Sequence, residues 1–435
     1  MPRPVAPTAT PTAAAADLRP AVTVLSGFSA DAAAAVATAL LAHDQRLLLV
    51  SHDISQVCAG TVRRTVRDHA GVREDERVEL VHGCLSCTLR EDVLPTLVRL
   101  AREHPDRDQV LLLPSALEPE AVAVAAGWCL VDGAPVADAV RFDSYLTVVD
   151  AQRLMADLTS SDDLIHRNLH AAPDDRRSVA DVVCRQLEYA DTVLLWGEAP
   201  EGRFETARLA VLLERLVPWA EQLAAADSPG ESLLARLRLP RRHDPDTPGV
   251  LARGLEGYRV GRHEPAPDCG VVATVFRTRR PFHPQRLHDA LEQVTGDALR
   301  SRGHLWLASQ PELVIGWESA GGGISMGSLG QWLATVPTDQ WGEASALRRL
   351  TATVDWDPYY GDRSSLLAFI GLDLDPAALH STLESCLVTD DELALGEQAW
   401  RDFPDPFAGC FDADSTTDTE TDTDTDTDTE TATRS

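Results

Sequence analysis

The sequence predicts an α/β fold, a mostly parallel sheet with helices on both faces, followed by a smaller α+β domain. Two observations predict it. Short apolar runs alternate with helical patterns through the first half of the chain, the arrangement of βαβ units. The chain also has 435 residues, 44% of them hydrophobic, enough to bury two cores.

Taken in order, Val22–Leu25 reads as a strand, Asp31–His43 as an alanine-rich helix and Leu47–Ser51 as a second strand. Val78–His82, Val110–Leu113, Tyr145–Val149 and Thr192–Leu195 follow as strands, with helices such as Glu91–Glu103 and Phe204–Ala225 between them. The stretch 241–268 is proline-rich and charged and reads as a linker. Beyond it, Gly270–Arg277 reads as a strand and Pro284–Gln293 as a helix, and His304–Ser309 and Glu312–Trp317 as paired strands. Leu366–Leu372 and the helix Pro376–Leu387 close the second domain, whose tryptophans 306, 317, 332, 341 and 356 are expected in core and interface. The division is then 21–240, a linker 241–268, and 269–410. Residues 1–20 and 411–435 are too poor in apolar content to offset the entropy of ordering, so both are expected to be disordered.

The net charge is −29. That acidity argues against broad electrostatic binding to nucleic acid. Residues 411–435 carry nine of the acids, in a Thr-Asp/Glu repeat. One local exception is the set Arg277, Arg279, Arg280, Arg286, Arg300 and Arg302. It reads as a solvated face paired with carboxylates, with docking on an acidic partner or RNA as the alternative. His283, His288 and His304 read as satisfied core or surface groups. The first residues lack the basic start and apolar run of a signal peptide, and no stretch approaches a membrane span. A cytoplasmic location is expected.

The first strand and helix, Ala21–Val36, are laid out like the start of a P-loop-type domain. A P-loop needs a lysine to hold the β/γ-phosphates and a Ser or Thr on the magnesium. Counting from Gly27, those places hold Ala33 and Ala34, Ala32 replaces the second glycine, and the whole chain contains no lysine. Asp31 lies in the first helical turn and Ser29 is a candidate N-cap. A carboxylate there complements the helix dipole and repels a triphosphate. Gly27, Ser29 and Asp31 are therefore vestigial nucleotide-binding residues, and no residue is assigned a catalytic role.

The sharpest local pattern is His82-Gly-Cys-Leu-Ser-Cys-Thr-Leu-Arg90. Both thiols fall near a helix N-terminus, which favours thiolate, the form that binds Zn²⁺. Cys84, Cys87 and His82 are candidate metal ligands, and His52 or Cys58 could complete the set. A redox pair and a structural remnant remain open.

These residues resemble the CobW-type GTPases and metallochaperones, which carry Gly-Cys-x-Cys-Cys-Thr-Leu-Arg after a strand. The resemblance runs from about Ala21 to Phe407 and is closest to the zinc-responsive branch. Asp53-Ile-Ser-Gln-Val57, Arg141–Asp150, Arg280–Arg286, Leu299–Trp306, Gly361–Arg363 and Phe369–Asp375 are similar to segments of that branch. It implies a P-loop-type nucleotide domain joined to a CobW C-terminal domain. The departures matter as much. Ser86 replaces the middle cysteine, Leu112 an acidic residue near magnesium, Ser115 a glycine at the γ-phosphate, and Trp196-Gly-Glu-Ala199 the guanine-reading Asn-Lys-x-Asp. A hydroxyl is a poorer zinc ligand than a thiolate.

Some actinobacterial members of that branch are GTPase-like proteins that recruit a ribosome-hibernation factor when zinc is scarce. The Cys-Leu-Ser-Cys motif and the lysine-free, Arg/Ala-rich composition resemble that group. The resemblance implies a non-hydrolysing adaptor whose partner is a protein, a hibernation factor or a ribosomal protein. Zn²⁺ is its candidate cofactor, and GTP with Mg²⁺ is not expected. The alternatives are a metallochaperone passing zinc from Cys84 and Cys87 to a zinc-dependent client, or a weak GTPase using Arg63, Arg64 or Arg90 in place of lysine.

Overall fold

The computed structural model describes residues 17–172, 175–226 and 229–411. The disorder expected at 1–20 and 411–435 falls almost wholly outside them. No helix among the described residues is long and apolar enough to cross a membrane.

The first sheet is built from β1 (Ala21–Ser26), β2 (Leu48–Asp53), β3 (Thr61–Asp68), β4 (Gly71–Glu79) and β5 (Gln109–Leu112). A short ribbon, β6 (Leu130–Val131) with β7 (Ala134–Pro135), lies apart; β8 (Arg141–Asp150), β9 (Thr192–Trp196) and β10 (Glu221–Ala225) complete the sheet. The order is β10-β9-β8-β1-β5-β2-β3-β4, parallel from β10 to β2. Every residue of β1 is buried, which is why it reads as a mostly apolar run rather than an alternation. The chain leaves β1 on one side for β5 and β2 and returns on the other for β8. That reversal puts a crevice outside the carboxyl ends of β1 and β8, where ligands of open α/β sheets bind.

Three expected elements are corrected. Val78–His82 is not a parallel strand: the chain makes an antiparallel hairpin, β3 with β4, that extends the sheet edge. The helix expected over Phe204–Ala225 ends at Leu216; Pro218 cannot continue it, and Glu221–Ala225 becomes the edge strand β10. The helix expected from Glu91 starts earlier, at Leu85, and passes through a π-helical turn at Leu89–Val93 before Leu94–Glu103.

The second sheet contains β11 (Glu264–Asp268), β12 (Val271–Thr278), β13 (Arg300–Leu305), β14 (Leu313–Ala320), β15 (Gly323–Gln331) and β16 (Ser365–Leu372). It is antiparallel in the order β11-β12-β16-β13-β14-β15. Trp306, Trp317 and Trp332 are buried in this half, whereas Trp356 stays 43% exposed.

The two sheets share one apolar core. Val182, Val183, Leu209 and Leu212 of the first half pack with Val271, Ala273, Ala320 and Ile370 of the second. Arg300 and Arg302 belong to this junction, so the expected solvated face is corrected for these two, while Arg277 is exposed and Arg280 and Arg286 are part-exposed. Arg300 is 0% exposed and grips Glu188 through two 2.7 Å hydrogen bonds, with Glu318 at 2.5 Å. Arg302 donates to the Glu188 Oε1 that also accepts from Arg300 Nε, and to the Val260 carbonyl at 2.7 Å. Arg286 pairs with Glu392, and Arg280 with Asp390. Contacts with Arg300 and Arg302 hold the Glu188 carboxyl down to about 2, although burial alone would raise it. A paired buried charge of this kind is costly to break. The stretch 241–268 is not free chain either: it supplies β11, and Arg253 and Val260 within it are buried.

Candidate functional site

Two places near the first sheet carry the residues singled out from sequence. One is the crevice at the ends of β1 and β8. Only Gly27, Phe28 and Ser29 separate β1 from the helix Ala30–His43. The residues that would have to loop around phosphates, Ala30 and Asp31, are already helical. Ala33, at the lysine place, is 2% exposed and faces the core, packed with Leu25 and Val148. Gly27 has a structural reason of its own: a Cβ there would lie 2.6 Å from the Val148 carbonyl oxygen. Ser29 spends its hydroxyl on Asp150, Oγ donating to Oδ2 at 3.0 Å, and does not cap the helix with its side chain. Ser29 does stand at the expected N-cap position, with the side-chain capping bond missing. Asp31 sits exposed in the first turn. The space between Phe28, Ser29, Asp150, Asp157 and Gln186 is only about 20 Å³.

The neighbouring loops close on themselves too. The Ser115 carbonyl accepts a 2.8 Å hydrogen bond from Gln186 Nε2, and Glu118 pairs with Arg177 at 2.5 Å. Trp196 packs half-buried at the end of β9. Arg63 and Arg64, weighed above as lysine substitutes, are corrected: Arg63 pairs with Asp75, and Arg64 with Glu76 and Asp92, on the far hairpin.

The second place is the turn after β4. Gly83 lets this turn press against the turn Val57–Ala59, since a Cβ would lie 2.3 Å from the Val57 carbonyl oxygen. Cys84 is then the N-cap of the helix, its Sγ accepting the Cys87 N–H at 3.3 Å. The two thiols are thus held within one turn of each other, Cys84 half-buried and Cys87 buried, with Ser86 exposed between them. Burial pushes the Cys87 thiol up to about 11, with Cys84 and Glu91 adding to the shift. The expectation that the helix end favours thiolate is corrected for Cys87: burial and a carboxylate outweigh the dipole. Arg90 Nη2 approaches its sulfur at 3.7 Å.

His82 shares the turn, but its side chain is exposed; Cys58 is exposed on the adjoining turn. His52 is unavailable as a ligand, because its ring bonds Asp92 at 2.6 Å in a buried pair under Arg64. Among the described residues no three of His, Cys, Asp or Glu gather where one ion could hold them. The donor set suits zinc in kind, two sulfurs on a short bite, and leaves positions for ligands from elsewhere. Glu91, which anchors the turn by accepting the Val81 N–H at 3.0 Å, was missed from sequence. Its place directly after the Cys-Thr-Leu-Arg run was the available signal.

Fold and site together define a protein with a nucleotide-type α/β sheet fused to an antiparallel sheet and a dithiol turn on the sheet's antiparallel edge. Family models agree: the nucleotide-binding domain of CobW/HypB/UreG matches residues 30–196, and the cobalamin synthesis protein cobW C-terminal domain matches 271–387. The chain is 34% identical over 352 residues to "Zinc chaperone Rv0106" of Mycobacterium tuberculosis, covering 78% of this chain and 81% of the relative. It is 29% identical to "Zinc-regulated GTPase metalloprotein activator 1" of Dictyostelium discoideum, covering 88% and 83%. A zinc-bound YjiA GTPase structure from E. coli is similar at 15% identity, covering 85% of this chain and 99% of that one, with a TM-score of 0.33. The chain belongs to the CobW family.

Proposed function

We propose that this protein handles zinc through Cys84 and Cys87 and works without hydrolysing GTP. The observation that carries the reading is a dithiol held ready within one helical turn, with no third protein ligand brought to it among the described residues. An incomplete site of this kind suits an ion that is shared with, or handed to, a protein partner supplying the remaining ligands. Zinc is the cargo here. The names of the zinc-chaperone relatives support the same reading.

The hydrolysis half rests on the crevice. The lysine place is a buried alanine, and the Ser29 hydroxyl is engaged by Asp150. Phosphoryl transfer depends on positioned cations and donors, and these residues do not fit a bound triphosphate. No step is assigned to GTP or magnesium.

Zinc must displace the Cys87 proton, held at about 11. Uptake therefore strengthens with pH, about tenfold per unit from this thiol alone below that value. The partner is a zinc-dependent client protein in this reading. Recruitment of a ribosome-hibernation factor is the second reading, favoured by Ser86, whose hydroxyl in place of a thiol weakens carriage and suits sensing. A pull-down from zinc-starved cells separates them: a zinc enzyme enriched only by the intact thiol pair supports the client. Hibernation factor or ribosomal proteins in its place would transfer the proposal to recruitment.

A further inference from the structure

At the other end of the first sheet, before β9 and β10, lies a cavity of about 690 Å³. The stretch 241–268 forms one wall with Arg253, Tyr258 and Arg259, and Trp219, Glu221 and Asp191 form the other. The volume falls in the range of small-molecule sites. Arg253 is the unusual residue. It is 5% exposed, and its guanidinium lies over the Trp219 ring, 4.3 Å from the centroid. Its buried Nε has no hydrogen-bond partner, and no carboxylate among the described residues pairs with it.

The nearby acids are engaged elsewhere. Glu221 is held by Arg236 and Arg242. Asp191 accepts the Tyr145 N–H at 2.9 Å and faces His243 at 3.4 Å. Asp244 accepts the Asp246 N–H at 3.1 Å, Glu120 the Val250 N–H at 3.2 Å, and Glu188 serves Arg300 and Arg302. Burial, with Arg302 close by, presses the Arg253 pKa below the ordinary arginine value. Glu188 and Glu120 offset part of the cost of this burial from a distance, but a buried cation with no direct carboxylate partner is still costly, and proteins meet that cost by pairing it. Arg259, exposed at the rim, adds a second positive charge without an ion pair among the described residues.

We propose that this cavity binds a small organic anion, its carboxylate or phosphate group held by Arg253 with Arg259 at the mouth. Guanidinium is suited to both oxyanions through paired N–H donors. The site is independent of the dithiol turn and of the reading given to it.

The test is thermal unfolding of the full chain with rising pyrophosphate in one arm and glutarate in the other, ionic strength matched with sodium chloride. A saturable rise of the melting midpoint is expected in at least one arm, and the arm that responds names the oxyanion. Arg253→Gln should abolish the rise, and Arg259→Glu, a surface change that leaves the core intact, should weaken apparent affinity by about tenfold. Cys84→Ser should leave the rise unchanged. No rise in either arm, or a rise that survives Arg259→Glu and Arg253→Gln unaltered, overturns the proposal.

Discussion

The two ends of the first sheet treat charge in opposite ways. At the carboxyl ends of β1 and β8 the protein satisfies itself: Ser29 meets Asp150, Ala33 is buried, and the cavity behind Phe28 and Ser29 holds only about 20 Å³. Before β9 and β10, about 690 Å³ stays open around an arginine that nothing pairs among the described residues. The difference teaches that a fold's usual ligand end is a tendency of the backbone, which side chains can fill. The dithiol turn follows β4 at the sheet's antiparallel edge, on the side of the carboxyl end of β2.

The comparison can be broken most forcefully at the junction that fixes both ends. Glu188→Ala leaves Arg300 and Arg302 buried without their shared carboxylate, and chemical denaturation should report a loss of about 3–5 kcal/mol. A loss below about 1 kcal/mol would mean that the network is not holding the halves together.

Next comes the closed crevice. Gly27→Ala forces a methyl against the Val148 carbonyl and should cost about 1–3 kcal/mol with no nucleotide present. Were Gly27 kept only for phosphate, the substitution would be silent in this assay.

Acid sharpens the contrast with the second sheet. Burial, helped by Arg348 and Arg277, pushes the His304 pKa down to about 3. The unfolded chain takes up a proton below about pH 6.5 that the folded chain refuses. The stability from this group is therefore present above pH 6.5 and is lost on acidification toward 3, by about 1.4 kcal/mol per pH unit. His304→Gln should flatten that part of the pH–stability curve. The smallest effect is expected from Ser29→Ala, about 1 kcal/mol for the lost bond to Asp150, with zinc uptake untouched.

Much of the scaffold was legible because buried parallel strands announce themselves. Val22–Leu25, Tyr145–Val149 and Thr192–Leu195 are apolar runs with one threonine each, and each lies within a strand. The β3–β4 hairpin was not legible: β4 is mostly charged and mostly exposed, so its pattern resembles a loop. β15, rich in Gly and Ser and lying along a sheet edge, was hidden for the same reason. β10 was absorbed into the preceding helix because the apolar content continues across Pro218. At the site, the spacing of Cys84 and Cys87 could be read directly. The raised Cys87 pKa could not, since it comes from burial and from Glu91 in three dimensions. Nor could Arg253, a lone arginine in a proline-rich stretch that becomes notable only when stacked on Trp219.

The central claim is zinc held by the thiol pair without help from a nucleotide. Its most direct test is a zinc-competition titration of the purified chain, with and without GTP and Mg²⁺, beside Cys84→Ser. The account predicts about one Zn²⁺ per chain, an affinity unmoved by GTP, and loss of that uptake in the variant. Uptake that persists in Cys84→Ser, or that tightens when GTP is added and phosphate is released, would contradict it.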